Sequence, residues 1–278
     1  MNITAPGVYD MSAEDYHAQH DWLSASGAKK LLKPSCPAKF KASLGVQEHK
    51  PHFDLGKAAH TRVLGDGEEV VVVDALDWRS KDAREQRDAA YAAGKVPILV
   101  ADNAVIDAMA ASLEAHPIAP LLFATGKAEQ SIFWTDEATG VKCRARLDWL
   151  PDKQEGRRLI VPDLKTAVSA EPGEFSRAAA RFHYPIQDAH YRQAVQAAGI
   201  DEDPAFLFVV IEKEAPHIVT VGQLLPDDQA LGAALIDKAR RIYAECVATD
   251  TWPTYSDGVV DLALPVWHFN DYEEYAAS

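Results

Sequence analysis

At 278 residues and 47% hydrophobic, the chain can bury a substantial core, and a single α/β unit of this size is ordinary. A formal charge of −14 argues against a nucleic-acid partner unless basic residues gather locally. Cys36, Cys143 and Cys246 lie far apart with no CxxC pair, which excludes a disulfide framework, a zinc knuckle and a four-cysteine iron–sulfur centre, and leaves buried free thiols.

Along the chain, residues 1–50 read as irregular, broken by Pro6, Pro34 and Pro37, with one short helix at Ser26–Leu32. A helix is expected over Asp54–Leu64, entered from a loop that contains His52. Alanine-rich stretches at 80–94 and 101–115 predict two more, with Pro97 between them. Strands follow at Glu129–Trp134, Val141–Leu150 and Leu159–Lys165, with turn signals at Thr139-Gly140 and Gly156. A helix over Tyr184–Ala198, strands at Ala205–Lys213 and Ile218–Leu224, and a long helix from Asp227 to Thr249 complete the pattern. Strands interleaved with helices give an α/β (α+β) fold, a mixed central sheet flanked by helices. No stretch resembles a signal peptide, and the apolar runs are too short to cross a bilayer, so a cytoplasmic protein with no membrane role is expected.

Charge is unevenly distributed. Lys29, Lys30, Lys33, Lys39 and Lys41 form one basic block, and Arg79, Lys81, Arg84 and Arg87 another. Within the strand at 141–150, alternation places Val141, Cys143, Ala145, Leu147 and Trp149 on a core-facing side. Lys142, Arg144, Arg146 and Asp148 share the other. Three cations ending in an acid suit a groove that follows a phosphate backbone; a solvated strand face is the alternative. Arg79, Lys81, Arg144 and Arg146 are the expected phosphate contacts, the positions where a nucleic-acid strand would bind.

Asp163 and Lys165, two apart on a strand, share a face. If Asp148 comes alongside, the two carboxylates repel and need a cation between them. Hard oxygen ligands favour Mg²⁺, with Mn²⁺ as a substitute; such an ion activates water for phosphodiester cleavage while Lys165 orients the water or stabilises developing charge. The competing reading is a structural Asp–Lys ion pair. Glu129 offers a third carboxylate, His60 a nitrogen ligand, and Gln187 and Tyr191 one shared helix face. No G-x-S-x-G, H-E-x-x-H or G-x-G-x-x-G is present.

In order, Gly56-x-x-x-His60, Glu129, Asp148, Pro162-Asp163-Leu164-Lys165 and Gln187-x-x-x-Tyr191 resemble the PD-(D/E)XK nuclease superfamily in its RecB-like branch. The blocks LGKAAHTRVL, EQSIFW, CRARLDWL, PDLKTA and YPIQDAHY are similar to those of the RecE-type exonuclease VIII nuclease domains and their phage homologues, over roughly residues 8–225. The resemblance implies a restriction-endonuclease-like core, with metal held by His60, Asp148, Asp163 and the Leu164 carbonyl. It implies Lys165 as catalytic lysine, Glu129 as an acidic site residue, and Gln187 and Tyr191 as the third motif. It further implies a Mg²⁺-dependent duplex-end exonuclease, 5′ to 3′, leaving 3′ tails for a RecT-type annealing protein, in a ring-shaped homo-oligomer (trimer or tetramer). No iron–sulfur cluster is expected, since Cys36 alone lies in the relevant segment. One domain is expected over 1–278: an N-terminal segment (1–50), the nuclease core (51–225) and a C-terminal helix and tail (226–278). An endonucleolytic or structure-specific DNase, or a non-catalytic DNA-binding subunit, are the alternatives.

Overall fold

A computed structural model describes residues 3–46 and 54–276. The expected entry loop with His52 lies outside the described residues. The N-terminal segment is more ordered than its proline content suggests: strand β1 (Gly7–Tyr9) and helices α1 (Ala13–His17), α2 (Ala25–Leu31) and α3 (Pro37–Ala42). These helices are too short for hydrophobic periodicity to show. Their ends carry the signal instead: Ser12 accepts a hydrogen bond from Asp15 N at 3.0 Å and Ser24 from Gly27 N at 3.1 Å.

Helix α4 (Asp54–Leu64) leads into β2 (Val70–Val73), α5 (Lys81–Ala92), β3 (Val96–Leu99), α6 (Val100–Ala115) and α7 (Ala119–Leu122). Strands β2 and β3 pair in parallel, a unit not expected from the sequence, and Pro97 sits within β3 opposite Val71. The long hairpin β4 (Gly126–Thr135) and β5 (Lys142–Pro151) is antiparallel, and β1 adds to the free edge of β4. Strand β6 (Ile160–Ala167) crosses through α8 (Pro172–Arg181) and α9 (Tyr184–Ala197) to its parallel neighbour β7 (Ala205–Glu212). Strand β8 (Val219–Gly222) returns antiparallel to β7, followed by α10 (Pro226–Thr249) and α11 (Val266–Ala276). Among the described residues the β-structure is therefore divided among three small sheets, with helices packed against them.

Two large cores hold these layers, and a smaller one of Ile3, Met11, Tyr16, Trp22 and Phe133 seats the N-terminal segment on β4. Of the large cores, one joins α2, α9 and α10 to β4–β7 through Leu31, Ile132, Leu147, Val161, Ile186, Phe208 and Ile236. The other joins α4 and α6 through Ala58, Met109, Leu164, Val209 and Ile211. Strand β6 serves both, because alternation sends Val161 to the first core and Leu164 to the second. Each such apolar side chain contributes about 1.5–3 kcal/mol on burial. The three cysteines are free and buried. Among the described residues, no helix is long and apolar enough to cross a membrane.

Helix α9 is fixed by two contacts. Gly232 of α10 lies so close that a Cβ there would meet the Pro185 carbonyl at 2.1 Å. Deeper in, Arg240 of α10, 2% exposed, donates to Asp136 at 3.0 Å and approaches His190 Nδ1 at 3.3 Å. Because Arg240 is a donor only, Nδ1 accepts and Nε2 carries the hydrogen, which it donates to the Arg144 carbonyl at 2.9 Å. Burial, reinforced by Arg240, lowers the His190 pKa to about 3.

Two outcomes are expected. Gly232→Ala forces α10 off the start of α9 and lowers stability by roughly 1–3 kcal/mol, read as the urea midpoint. His190 is neutral when folded and titrates at its ordinary value when unfolded, so its contribution is complete above pH 6.5 and is lost as pH falls towards about 3. By pH 5 the loss is about 2 kcal/mol. His190→Gln, although less stable at pH 7.5, shows a shallower decline in urea midpoint between pH 7.5 and 5; an unchanged slope assigns the acid sensitivity elsewhere.

Candidate active site

The polar face of β5 meets the edge of β6 at the floor of a cleft of about 1520 Å³. Asp148 accepts a hydrogen bond from the Leu164 main-chain N–H at 2.7 Å, so a side chain ties the two strands together here. Across the hairpin, the register of β4 and β5 sets Glu129 opposite Asp148, between the pairs Ala128–Trp149 and Gln130–Leu147. The ladder is interrupted at this point, and Glu129 has left-handed backbone (φ 53°). A non-glycine residue held so costs about 1–3 kcal/mol, and like charges directly opposite add to that cost.

His60 reaches the same point from α4. Gly56, one turn earlier, lets that helix approach β6, since a Cβ there would lie 3.2 Å from Thr166 Oγ1. The His60 Nδ1 is 3.8 Å from Asp148 Oδ2, and ligand atoms of His60, Glu129 and Asp148 all lie within 4.8 Å of one another. Arg146 holds Glu129 from the other side at 2.5 Å, while also donating to the Met11 carbonyl and to Ser131. Burial raises the Glu129 pKa and Asp148 reinforces it, with Arg146 opposing.

Asp163 and Lys165 stand side by side on β6, the ammonium in contact with Asp163 Oδ2. That oxygen is buried and accepts no hydrogen bond of regular geometry; Oδ1 accepts one from Gln187 at 2.7 Å. Burial pushes the Asp163 carboxyl up to about 6, with Lys165 pulling the other way and Asp148 adding to the rise. For Lys165, burial works against the charged form, but Asp163 and Asp148 outweigh it and raise its pKa. Tyr191, one turn beyond Gln187, packs edge-on against Phe206 at 5.8 Å. Its pKa is raised well above the usual value, first by burial.

His60, Glu129, Asp148, Asp163, Leu164, Lys165, Gln187 and Tyr191 thus come from five elements to one region. Within it, Glu129 joins His60 and Asp148 as a potential ligand, while Asp163 is turned towards Lys165 and Gln187. Two residues that the sequence does not assign to the site complete the surroundings. Tyr184, on the first turn of α9, has the Lys165 ammonium 5.3 Å and the Lys29 ammonium 5.2 Å from its ring centroid. Lys29 sat within a recognised basic block; only the packing of α2 against α9 brings it here.

The expected phosphate contacts fare differently. Arg144, 8% exposed, stacks over Tyr16 at 4.6 Å and donates to its carbonyl, because α1 covers this part of β5. Arg146 is engaged by Glu129. The expectation of an open cationic ladder is corrected: both arginines line the cleft, but Arg146 serves Glu129, Met11 and Ser131, and Arg144 is buried with Nη1 on the Tyr16 carbonyl and Nε unpartnered. Arg79 and Lys81 are exposed and lie near Asp77 and Glu85. They stand at the start of α5, whose other end borders the cleft at Ala92–Lys95, roughly 18 Å away along the helix. They are not part of the cleft wall.

The donor set of two carboxylates and an imidazole, beside a buried carboxylate oxygen lacking a regular hydrogen bond, fits a divalent cation such as Mg²⁺ or Mn²⁺.

Comparison with known proteins bears on the fold and the family. A solved structure of a protein from Eubacterium rectale, provisionally named an exonuclease, has a TM-score of 0.58 at 13% identity, covering 94% of this chain and 98% of the other. At that identity the likeness concerns the fold. A phage-related exonuclease from Haemophilus somnus 129PT is more distant, with a TM-score of 0.34 at 8% identity, covering 83% of this chain and 96% of that one. No curated protein matches. Residues 24–262 match the model of a family described as a PDDEXK-like domain of unknown function (DUF3799), and the chain belongs to that family.

Proposed function

We propose that the protein is a metal-dependent deoxyribonuclease that enters at duplex ends. In this reading it removes one strand 5′ to 3′ and leaves a 3′ tail for an annealing protein of RecT type. The observation that carries the nuclease reading is the His60–Glu129–Asp148 group beside the Asp163–Lys165 pair, at the floor of a cleft larger than a small-molecule pocket needs. The end-directed polarity and a ring-shaped assembly rest on the RecE-type sequence blocks.

His60, Glu129 and Asp148 would hold the ion, with Asp163 and the Leu164 carbonyl as the further oxygens that the resemblance assigns. When bound, it polarises a phosphoryl oxygen and makes a water more acidic. The protein's own groups do the remainder. Lys165 is held protonated by its carboxylate neighbours, so it acts as a donor towards the attacking water or the charge developing on phosphate, not as a base. Gln187 fixes the rotamer of Asp163 through Oδ1 and leaves Oδ2 directed at Lys165. Arg146 holds Glu129 in its left-handed position, and the Leu164 N–H holds Asp148.

End-labelled linear duplex is expected to be consumed with Mg²⁺, while covalently closed circles persist. Asp163→Ala and Lys165→Ala each reduce cleavage by at least about a hundredfold with duplex binding retained. Circles cut as fast as linear DNA identify an endonuclease instead; a wild-type protein that binds duplex without cutting it, with Mg²⁺ or Mn²⁺, identifies a non-catalytic subunit. Glu129→Gln weakens Mn²⁺ binding about ten- to a hundredfold by calorimetry, and an unchanged affinity removes Glu129 from the ligand set.

A further inference from the structure

Lys30 lines the cleft and is exposed, Arg144 is buried beneath Tyr16, and several other cations around the cleft are already matched: Lys165 by Asp163, Arg146 by Glu129, Lys57 by Glu68 and Lys95 by Glu69. Lys29 is not. It projects from the last turn of α2, half-buried, with its ammonium 5.2 Å from the centroid of Tyr184. Among the described residues, no carboxylate lies within ion-pair distance of it. Tyr184 is itself fixed by stacking on Phe208 at 5.6 Å and takes the Lys165 ammonium at 5.3 Å. Burial, and then Lys165, lower the Lys29 pKa to about 8, with Asp163 opposing. An ammonium withdrawn from water without an anion costs stability, and such groups collect where a ligand supplies the missing charge.

We propose that Lys29 is a second substrate-binding cation of the active site, taking a phosphate oxygen of the nucleic-acid strand next to the position served by Lys165, with Tyr184 as the spacer between them. The proposal rests on the nuclease reading and extends it. It answers a chemical need of the site: Lys165 is held by Asp163, Arg146 by Glu129, and Arg144 is buried beneath Tyr16, so a polyanionic strand gains from a further cation beside the carboxylates. A charge-assisted contact of this kind is lost when the ammonium is lost.

The test uses the full chain with Lys29→Met and Lys29→Arg, in two measurements. The first is steady-state digestion of linear duplex with Mg²⁺. The second is anisotropy of a labelled duplex with Ca²⁺ replacing Mg²⁺, so that binding is read without cleavage. Lys29→Met is expected to raise KM and Kd about tenfold or more without lowering the thermal midpoint, and Lys29→Arg to restore most of the loss. Wild-type binding should also weaken between pH 7 and 9.5 more than that of Lys29→Arg. The groups facing Lys29 are Lys165 and Asp163 on β6 and Tyr184 and His190 on α9; they are common to both proteins. Wild-type KM and Kd in Lys29→Met overturn the proposal while leaving the nuclease reading intact. A lowered thermal midpoint that Lys29→Arg does not rescue makes Lys29 structural and overturns it equally. Should the wild type bind duplex but never cut it, the nuclease reading fails, and the Ca²⁺ comparison still decides on Lys29. No binding at all overturns both.

Discussion

Three carboxylates, Glu129, Asp148 and Asp163, share a space largely withdrawn from water, and their mutual repulsion is the constraint that the surrounding structure answers. For Glu129 and Asp148, whose ligand atoms lie within 4.8 Å of each other, the two charges repel by about 3–4 kcal/mol at an effective dielectric of 20. The left-handed backbone of Glu129 adds strain. Each acid has its own offset, and each offset comes from elsewhere in the chain. Arg146 restrains Glu129, the Leu164 N–H and His60 face Asp148, and Lys165 with Gln187 hold Asp163. None of these offsets neutralises all three acids. What remains is a residual demand for positive charge, which a divalent cation meets and an apolar core never would.

Much of this site was legible because strand periodicity is simple. Two residues apart on β6, Asp163 and Lys165 had to share a face, and alternation on β5 put Asp148 on the same side as Arg144 and Arg146. The predicted helices at 54–64, 101–115 and 184–198 match α4, α6 and α9 nearly to the residue. What alternation does not contain is what lies across a face. Arg144 and Arg146 were rightly placed on the polar side of β5, but the chain that covers that side, α1 with Tyr16, lies more than a hundred residues earlier. The parallel β2–β3 pair escaped for a related reason: Val70–Val73 is short, and Pro97 in the partner reads as a breaker although it sits paired within the strand. Helix α8, between Pro172 and Arg181, was not expected although it is amphipathic: it is only ten residues long, and its opening Pro172-Gly173 reads as a turn. Lys29 and Tyr184 belong to elements that were predicted; their meeting depends on packing alone.

The charge balance also looks different once divided by region. After Arg241 the chain contains seven acids and no lysine or arginine, so half of the formal −14 lies in the last 37 residues. This tail starts against the lysines of α3, where Lys41 lies 4.8 Å from the Trp252 ring and Lys39 lies 5.0 Å from that of Tyr255. It then runs out along exposed residues to α11, where Trp267, Phe269, Tyr272 and Tyr275 remain exposed. The net charge of the whole chain is therefore a poor guide to the field at the cleft, where lysines of α2 and α4 stand near the carboxylates.

Stability and site geometry meet in α9. The contacts that fix this helix, Gly232 against Pro185 and the buried Arg240–His190 pair, are made with α10. The residues it presents to the cleft floor, Tyr184 and Gln187, bear on Lys165 and Asp163. A helix of 14 residues has no independent hold on its register, since isolated helices of that length are marginal in water. Register must come from packing against α10, and a buried polar network sets it more strictly than apolar contacts, because a shifted helix would strand Arg240, Asp136 and His190 without partners. On this argument the acid-sensitive core behind α9 is what holds a glutamine within 2.7 Å of the carboxylate it orients.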